Sequence, residues 1–255
     1  MPLQQPTRVR RSSKPALDLP PPFRLVTLRE VGDAFAHASH LAAEEGAGTL
    51  VYVGRFDLVE FALVLEPDEP LASARCSLYA GLAALGDALA VHAPPELPIT
   101  FDWPDAVRVN GGLVGGARLA WPQDADEDKP PAWLVFAAMI RTVAMGEEEP
   151  GLRPLSAALE DEGFDDLGSG KLVESFARHF MVAVDAWQEQ GFSAVAKNYL
   201  ARLVPGSGMR SDIAENGDLI VRRMAANAGG PERRSLLRAL AEPSWLDPAT
   251  GGPRR

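Results

Sequence analysis

The stretch Phe101 to Leu119, FDWPDAVRVNGGLVGGARL, restricts this chain more than any other. Asn110-Gly111 lies between two short apolar runs, and both residues tolerate the positive φ that a tight type I′ turn demands. The spacing predicts a hairpin, with a Trp103-Pro104-Asp105 corner leading into its first arm. Gly115-Gly116 then falls inside the return strand. A glycine pair costs a strand stability, so it marks a bulge or a place where another group approaches the backbone closely.

The rest of the chain alternates strand and helix signals around this hairpin. Phe23–Glu30 reads as a first strand, and Gly32–Glu45 as an alanine-rich helix with Phe35, Ala38, Leu41 and Ala42 at helical spacing. Thr49–Arg55 and Leu58–Glu66 read as two strands joined by a short turn. Pro70–His92 predicts one long helix with a leucine stripe, stopped by Pro94-Pro95. Trp133–Val143 is a continuous apolar run of strand type. A short helix is expected from Ser156 to Gly163, and an amphipathic helix over Lys171–Glu189 is followed by a second over Phe192–Leu203. Asn216-Gly217 predicts another hairpin within Asp212–Met224, Pro231–Ala241 a helix, and Ser244–Arg255 is turn-rich. The expected class is α+β: a mixed, largely antiparallel sheet backed by helices, with a short C-terminal hairpin–helix appendage.

Composition removes several functions. The net charge of −10 repels phosphate backbones, so nucleic acid is not an expected partner. The single cysteine, Cys76, excludes an internal disulfide and a cysteine metal site, which suits a reducing cytoplasm. No apolar run approaches the roughly 18 residues that would span a bilayer, so a membrane is not expected either. His37 and His40 lie one turn apart on a predicted helix, but no third ligand is visible and no metal site is assigned.

The hairpin resembles the Trp-Pro-Asn-Asp … Lys-x-Gly-Gly signature of the biotin and lipoate protein ligase family. Trp103, Pro104, Gly115 and Gly116 match it. Asp105 stands at the asparagine position, Ala106 at the aspartate position, and Leu113 where the family has its active-site lysine. Three further family features are altered. Biotin ligases place a Gly-Arg-Gly-Arg-x-Gly loop between the strands that here meet at Gly54-Arg55, and lipoate ligases an Arg-Arg-x-x-Gly-Gly-Gly motif. The Gly-Ile-Gly-Ile-Asn strand of the ligases corresponds to Phe136–Arg141. The resemblance covers about residues 23–205 and implies a class II synthetase/biotin ligase-like domain there. It leaves a proline-rich, disordered arm over 1–22 and a small appendage over 206–255.

Implied by the resemblance is ATP-dependent attachment of a biotinyl or lipoyl/octanoyl group to a carrier-protein lysine, with ATP and Mg as cofactors and a biotinyl or lipoyl carrier domain as partner. Such chemistry needs cationic donors at the phosphates, a lysine at the acyl phosphate and an apolar slot. Arg55 and Asp105 are the catalytic candidates. Trp103, Pro104, Arg108, Leu113, Gly115, Gly116 and Arg118 are the ligand-binding candidates; Arg108 and Arg118 read equally well as solvated strand residues. The paired glycines are expected to form a bare floor on which a flat molecule rests. Leucine at 113 supplies neither charge nor hydrogen bond, so a second reading stands beside the first: a relative that binds an acyl ligand, carrier or partner without turnover. Octanoyl transferases of the same fold use a Cys/Lys pair, but no lysine is near Cys76 in sequence.

Overall fold

The computed structural model describes residues 17–145, 155–165, 167–204, 206–224 and 230–255. Most of the expected disordered arm lies outside these residues. The described end of it is packed: Leu17 and Leu19 rest on the core, and the Asp18 carboxylate accepts a hydrogen bond from Arg178 at 2.8 Å.

Among the described residues seven strands form the main sheet. They are β1 (Arg24–Leu28), β2 (Thr49–Gly54), β3 (Leu58–Leu65), β4 (Ile99–Asp102), β5 (Ala106–Val109), β6 (Gly112–Ala120) and β7 (Leu134–Arg141), in the order β1-β2-β3-β7-β6-β5-β4. Only the β1–β2 pair is parallel; the other pairs are antiparallel. Beyond it, β8 (Met209–Ile213), β9 (Leu219–Arg223) and β10 (Glu232–Arg234) make a small antiparallel sheet. The α+β class and the largely antiparallel sheet are as the sequence predicts.

Each face of the main sheet is covered by different elements, which is why β7 reads as an apolar run up to Arg141 and β3 as one interrupted only by Glu60: every residue of β7 is buried. One face carries α3 (Ser77–His92), α4 (Ser169–Gln190) and α5 (Phe192–Leu200), closing over a cluster in which Phe61, Phe136, Phe176 and Phe180 stack or tilt together. The opposite face is split. Over β2, β3 and part of β7 lies α1 (Ala34–Glu45), seated on Ala34, Ala38 and Ala42. Beside it, over β5, β6 and β7, lies the C-terminal segment that follows α6 (Leu236–Leu240), where Leu58, Ala106, Leu113, Met139 and Trp245 cluster.

Three local expectations are corrected. The single helix over 70–92 is divided into α2 (Leu71–Ala74) and α3, with a tight turn between them in which the Cys76 N–H reaches the Ser73 carbonyl. The segment after Ser156 forms no helix. Its backbone is taken up by the hairpin instead, since Leu113 N–H donates to Leu155 O and Ala157 N–H to Leu113 O. The helix over 231–241 shortens to α6 because Glu232–Arg234 pair with β9 as a strand. The stretch Leu71–His92, α2 and α3 taken together, is also long and apolar enough on average to cross a membrane, which the sequence reading did not anticipate; it lies mostly buried in the core here.

Candidate functional site

The site is built on the hairpin. Asn110 and Gly111 both have positive φ, 50° and 82°, as the turn chemistry requires. In the two arms Val107 pairs with Gly115 and Arg108 with Leu113, so Val114 is an extra residue and the return strand bulges there. The bulge throws Gly115 against β7: a Cβ at Gly115 would stand 1.9 Å from the Met139 carbonyl oxygen. Beyond it, a Cβ at Gly116 would stand 2.3 Å from the Asp105 carbonyl oxygen. Both readings of the glycine pair therefore apply, a bulge and a close backbone approach.

The bare face of Gly116 is occupied. The Trp245 indole lies on it, so that the same Cβ would also come within 2.3 Å of Trp245 Cδ1. Trp245 is 1% exposed, and its Nε1–H donates to the Ala117 carbonyl at 2.9 Å. Leu58, Ala106, Leu113 and Met139 wall the ring. Glu60, Arg118 and Phe35 close its far side, leaving a void of about 10 Å³, no larger than one water. The expectation of an open floor is thus corrected: the floor exists, but the chain's own indole rests on it.

Asp105 anchors the same segment. One carboxylate oxygen accepts from the Ser244 hydroxyl at 2.6 Å and the other from the Ser244 N–H at 3.2 Å. Burial dominates over these bonds and pushes its pKa up to about 6. A carboxyl that holds its proton more tightly folded than unfolded favours folding below about pH 4, and that contribution is lost as pH rises through about 6. Between pH 4 and 7 the parent is therefore expected to lose on the order of 3 kcal/mol of stability relative to Asp105→Asn. Urea titrations of both proteins at a series of pH values check this, and parallel curves would refute it.

The remaining candidates divide between the slot, its rims and other places. Arg55 is fixed in a bidentate pair with Asp57, at 3.0 and 2.7 Å, and this hydrogen bond holds the Asp57 pKa below its ordinary value. The pair lines a polar cleft of about 520 Å³ with Arg141 and the C-terminal residues Gly251 to Arg255. Arg108 donates to Asp102 at 2.6 Å and to the Gly111 carbonyl at 2.9 Å, on the hairpin rim. Arg118 packs its guanidinium 3.9 Å above the centre of the Phe35 ring and faces Asp33 at 3.6 Å; burial lowers its pKa. Neither arginine is a freely solvated strand residue. Trp103 is not brought to the slot. Its indole packs on the helix side and donates to the Tyr79 hydroxyl at 3.0 Å, while Pro104 offers its carbonyl to Tyr199.

Burial raises the Cys76 thiol pKa to about 12, which leaves no nucleophilic thiolate at neutral pH. Among the described residues no group of three or more His, Cys, Asp or Glu side chains is placed to hold a metal. Sequence reasoning missed Ser244, Trp245 and Arg141. A lone large aromatic in a turn-rich terminus was a signal, because such a side chain needs a partner to bury against. Arg141, at the end of an otherwise apolar strand, was another.

The sequence profile of the biotin/lipoate A/B protein ligase family matches residues 19–201. A curated relative, a biotin–[acetyl-CoA-carboxylase] ligase of Paracoccus denitrificans, is 32% identical over 152 residues, which are 55% of this chain and 58% of that protein. The chain thus matches little more than half of the length of that relative. Among solved structures, a biotin protein ligase-like protein of unknown function from Silicibacter sp. TM1040 superposes with a TM-score of 0.75 at 28% identity, over 89% of this chain and 100% of that one. The biotin protein ligase of Aquifex aeolicus in complex with biotin and ATP shares the fold, with a TM-score of 0.59 at 15% identity over 82% of this chain and 94% of that one.

Proposed function

The chain belongs to the biotin/lipoate A/B protein ligase family, and from that premise we propose that it binds a biotinyl or lipoyl/octanoyl group on the Gly116 floor and serves its ATP-dependent attachment to a carrier-protein lysine. One observation carries this reading. The floor accepts a flat bicyclic ring against bare backbone, with the Ala117 carbonyl placed to receive the ring's N–H, as the indole of Trp245 demonstrates. A ureido ring of biotin has the same needs, a planar face and N–H donors.

The chain's residues divide the work as follows. Leu58, Ala106, Leu113 and Met139 exclude water around the ring. Arg55 and Arg141 line the adjoining polar cleft, where cationic donors would hold phosphate oxygens and a bound nucleotide with Mg would supply the activation of the acyl carboxylate. Asp105 orients whatever chain or ligand amide faces it. Leu113 supports a second reading, binding without turnover, because among the described residues no ammonium group stands beside the ring to hold developing charge. Losing one such contact costs about a hundred- to thousandfold in rate.

Pyrophosphate exchange from ATP and calorimetry with biotin, lipoate and octanoate test both readings. Slow exchange with one acid is the expected result. Binding of an acid with no exchange establishes the second reading, and absence of both binding and exchange for all three acids removes the acyl-group assignment.

A further inference from the structure

We propose that the segment Ser244–Arg255 is a self-ligand of the acyl slot, so that Trp245 must leave the Gly116 floor before an acyl group enters. This inference rests on the acyl reading of the slot given above. Three contacts hold the segment, and each mimics a contact that a ligand would make. The indole presents a flat face to Gly116 and an N–H to the Ala117 carbonyl. Ser244 satisfies both oxygens of Asp105. At the other end Arg141 donates to the carbonyls of Pro253 and Arg254 at 2.6 and 3.1 Å, the kind of oxygen pair a carboxylate would offer the same guanidinium.

The segment is also built to come away. Between Ala241 and Arg255 only Trp245 and Pro253 are buried, and the link from α6 through Ala241-Glu242 is exposed. It has no helix or named strand of its own; a single bridge between Leu246 and Pro253 and the bond from Arg254 N–H to Trp245 O fold it into a turn. The large aromatic core under α3 and α4, and the alanine seat of α1, contain none of its residues. Lifting it therefore empties the slot without opening either core, which is how a locally unstable element differs from the body of a domain. A ligand that needs the emptied slot binds with its intrinsic affinity reduced by the fraction of molecules whose tail is out.

Full-length parent, Trp245→Ala and Ser244→Ala are titrated with biotin and lipoate by calorimetry. Trp245→Ala is expected to bind the preferred acid at least about tenfold tighter than the parent, with Ser244→Ala between them. Ser244→Ala keeps the indole and tests the idea should the larger truncation impair folding. Equal affinities in parent and variants would overturn the self-ligand. If none of the three proteins binds either acid, the acyl reading fails on its own, and hydrogen exchange of the free parent decides the tail. Amides of 244–255 exchanging at least about a hundredfold faster than those of β7 uphold a detachable segment, whereas exchange only together with β7 rules it out.

Discussion

Replacing Gly115 with alanine is expected to remove a large share of the folded protein's stability. The new methyl carbon would stand 1.9 Å from the Met139 carbonyl oxygen, 2.9 Å from its carbon and 3.1 Å from Ile140 Cα. All three are backbone atoms of the fully buried β7, which pairs with β3 on its other side and has nowhere to retreat. The φ of 156° adds conformational strain for an L side chain. Overpacking and strain together come to about 2–6 kcal/mol against a total stability of about 5–15 kcal/mol. Urea unfolding measures it. Gly111→Ala is the internal control: its φ is 82° but nothing lies within 4 Å of the added methyl, so a loss of only about 1–2 kcal/mol is expected. Similar losses at both positions would mean that the bulge does not press on β7.

Introducing lysine at Leu113 has the second large effect, and its sign depends on pH. Leu113 is 8% exposed and walled by Leu58, Ala106, Met139 and Trp245. An ammonium group there loses hydration without an opposite charge in that cluster, so its folded pKa falls below the unfolded value of about 10.4. The destabilisation, on the order of 3 kcal/mol, is present at neutral pH and fades as pH rises through the lowered folded pKa and up to the unfolded one. Urea midpoints of Leu113→Lys and parent should therefore converge as pH rises from 7 to 10. A constant gap would show that the lysine reaches water, for instance by expelling Trp245. On the catalytic reading, the same substitution is expected to raise pyrophosphate exchange about a hundred- to thousandfold with whichever acid binds, since it restores a charged contact beside the reacting carboxylate.

Much of the scaffold was legible along the chain. Asn110-Gly111 specified its turn because few residue pairs adopt two successive positive φ angles. Phe136 and its neighbours announced a strand buried on both faces, and the stripe Leu172, Phe176, Phe180 announced the helix that covers one of them. These signals are local: each depends on spacing within one element. Where the prediction strayed, a distant segment had claimed the backbone. Leu113 drew the residues after Ser156 into a bridge, and β9 drew Glu232–Arg234 out of a helix.

The candidate site was legible in part for the same reason. Gly115 and Gly116 stand out because a missing side chain inside a strand is conspicuous in any sequence. What fills the space they leave does not show, since the occupant comes from more than a hundred residues further along the chain.

The amino-acid order alone determined the hairpin, the paired glycines and the family these imply, because turn geometry and strand periodicity act over a few residues. Only the folded molecule decided that Trp245 lies on that backbone, that Ser244 takes both oxygens of Asp105 and that Trp103 faces the other way. Those outcomes depend on which groups are left unburied and unpaired once the sheet has closed, and no short window of sequence carries that information.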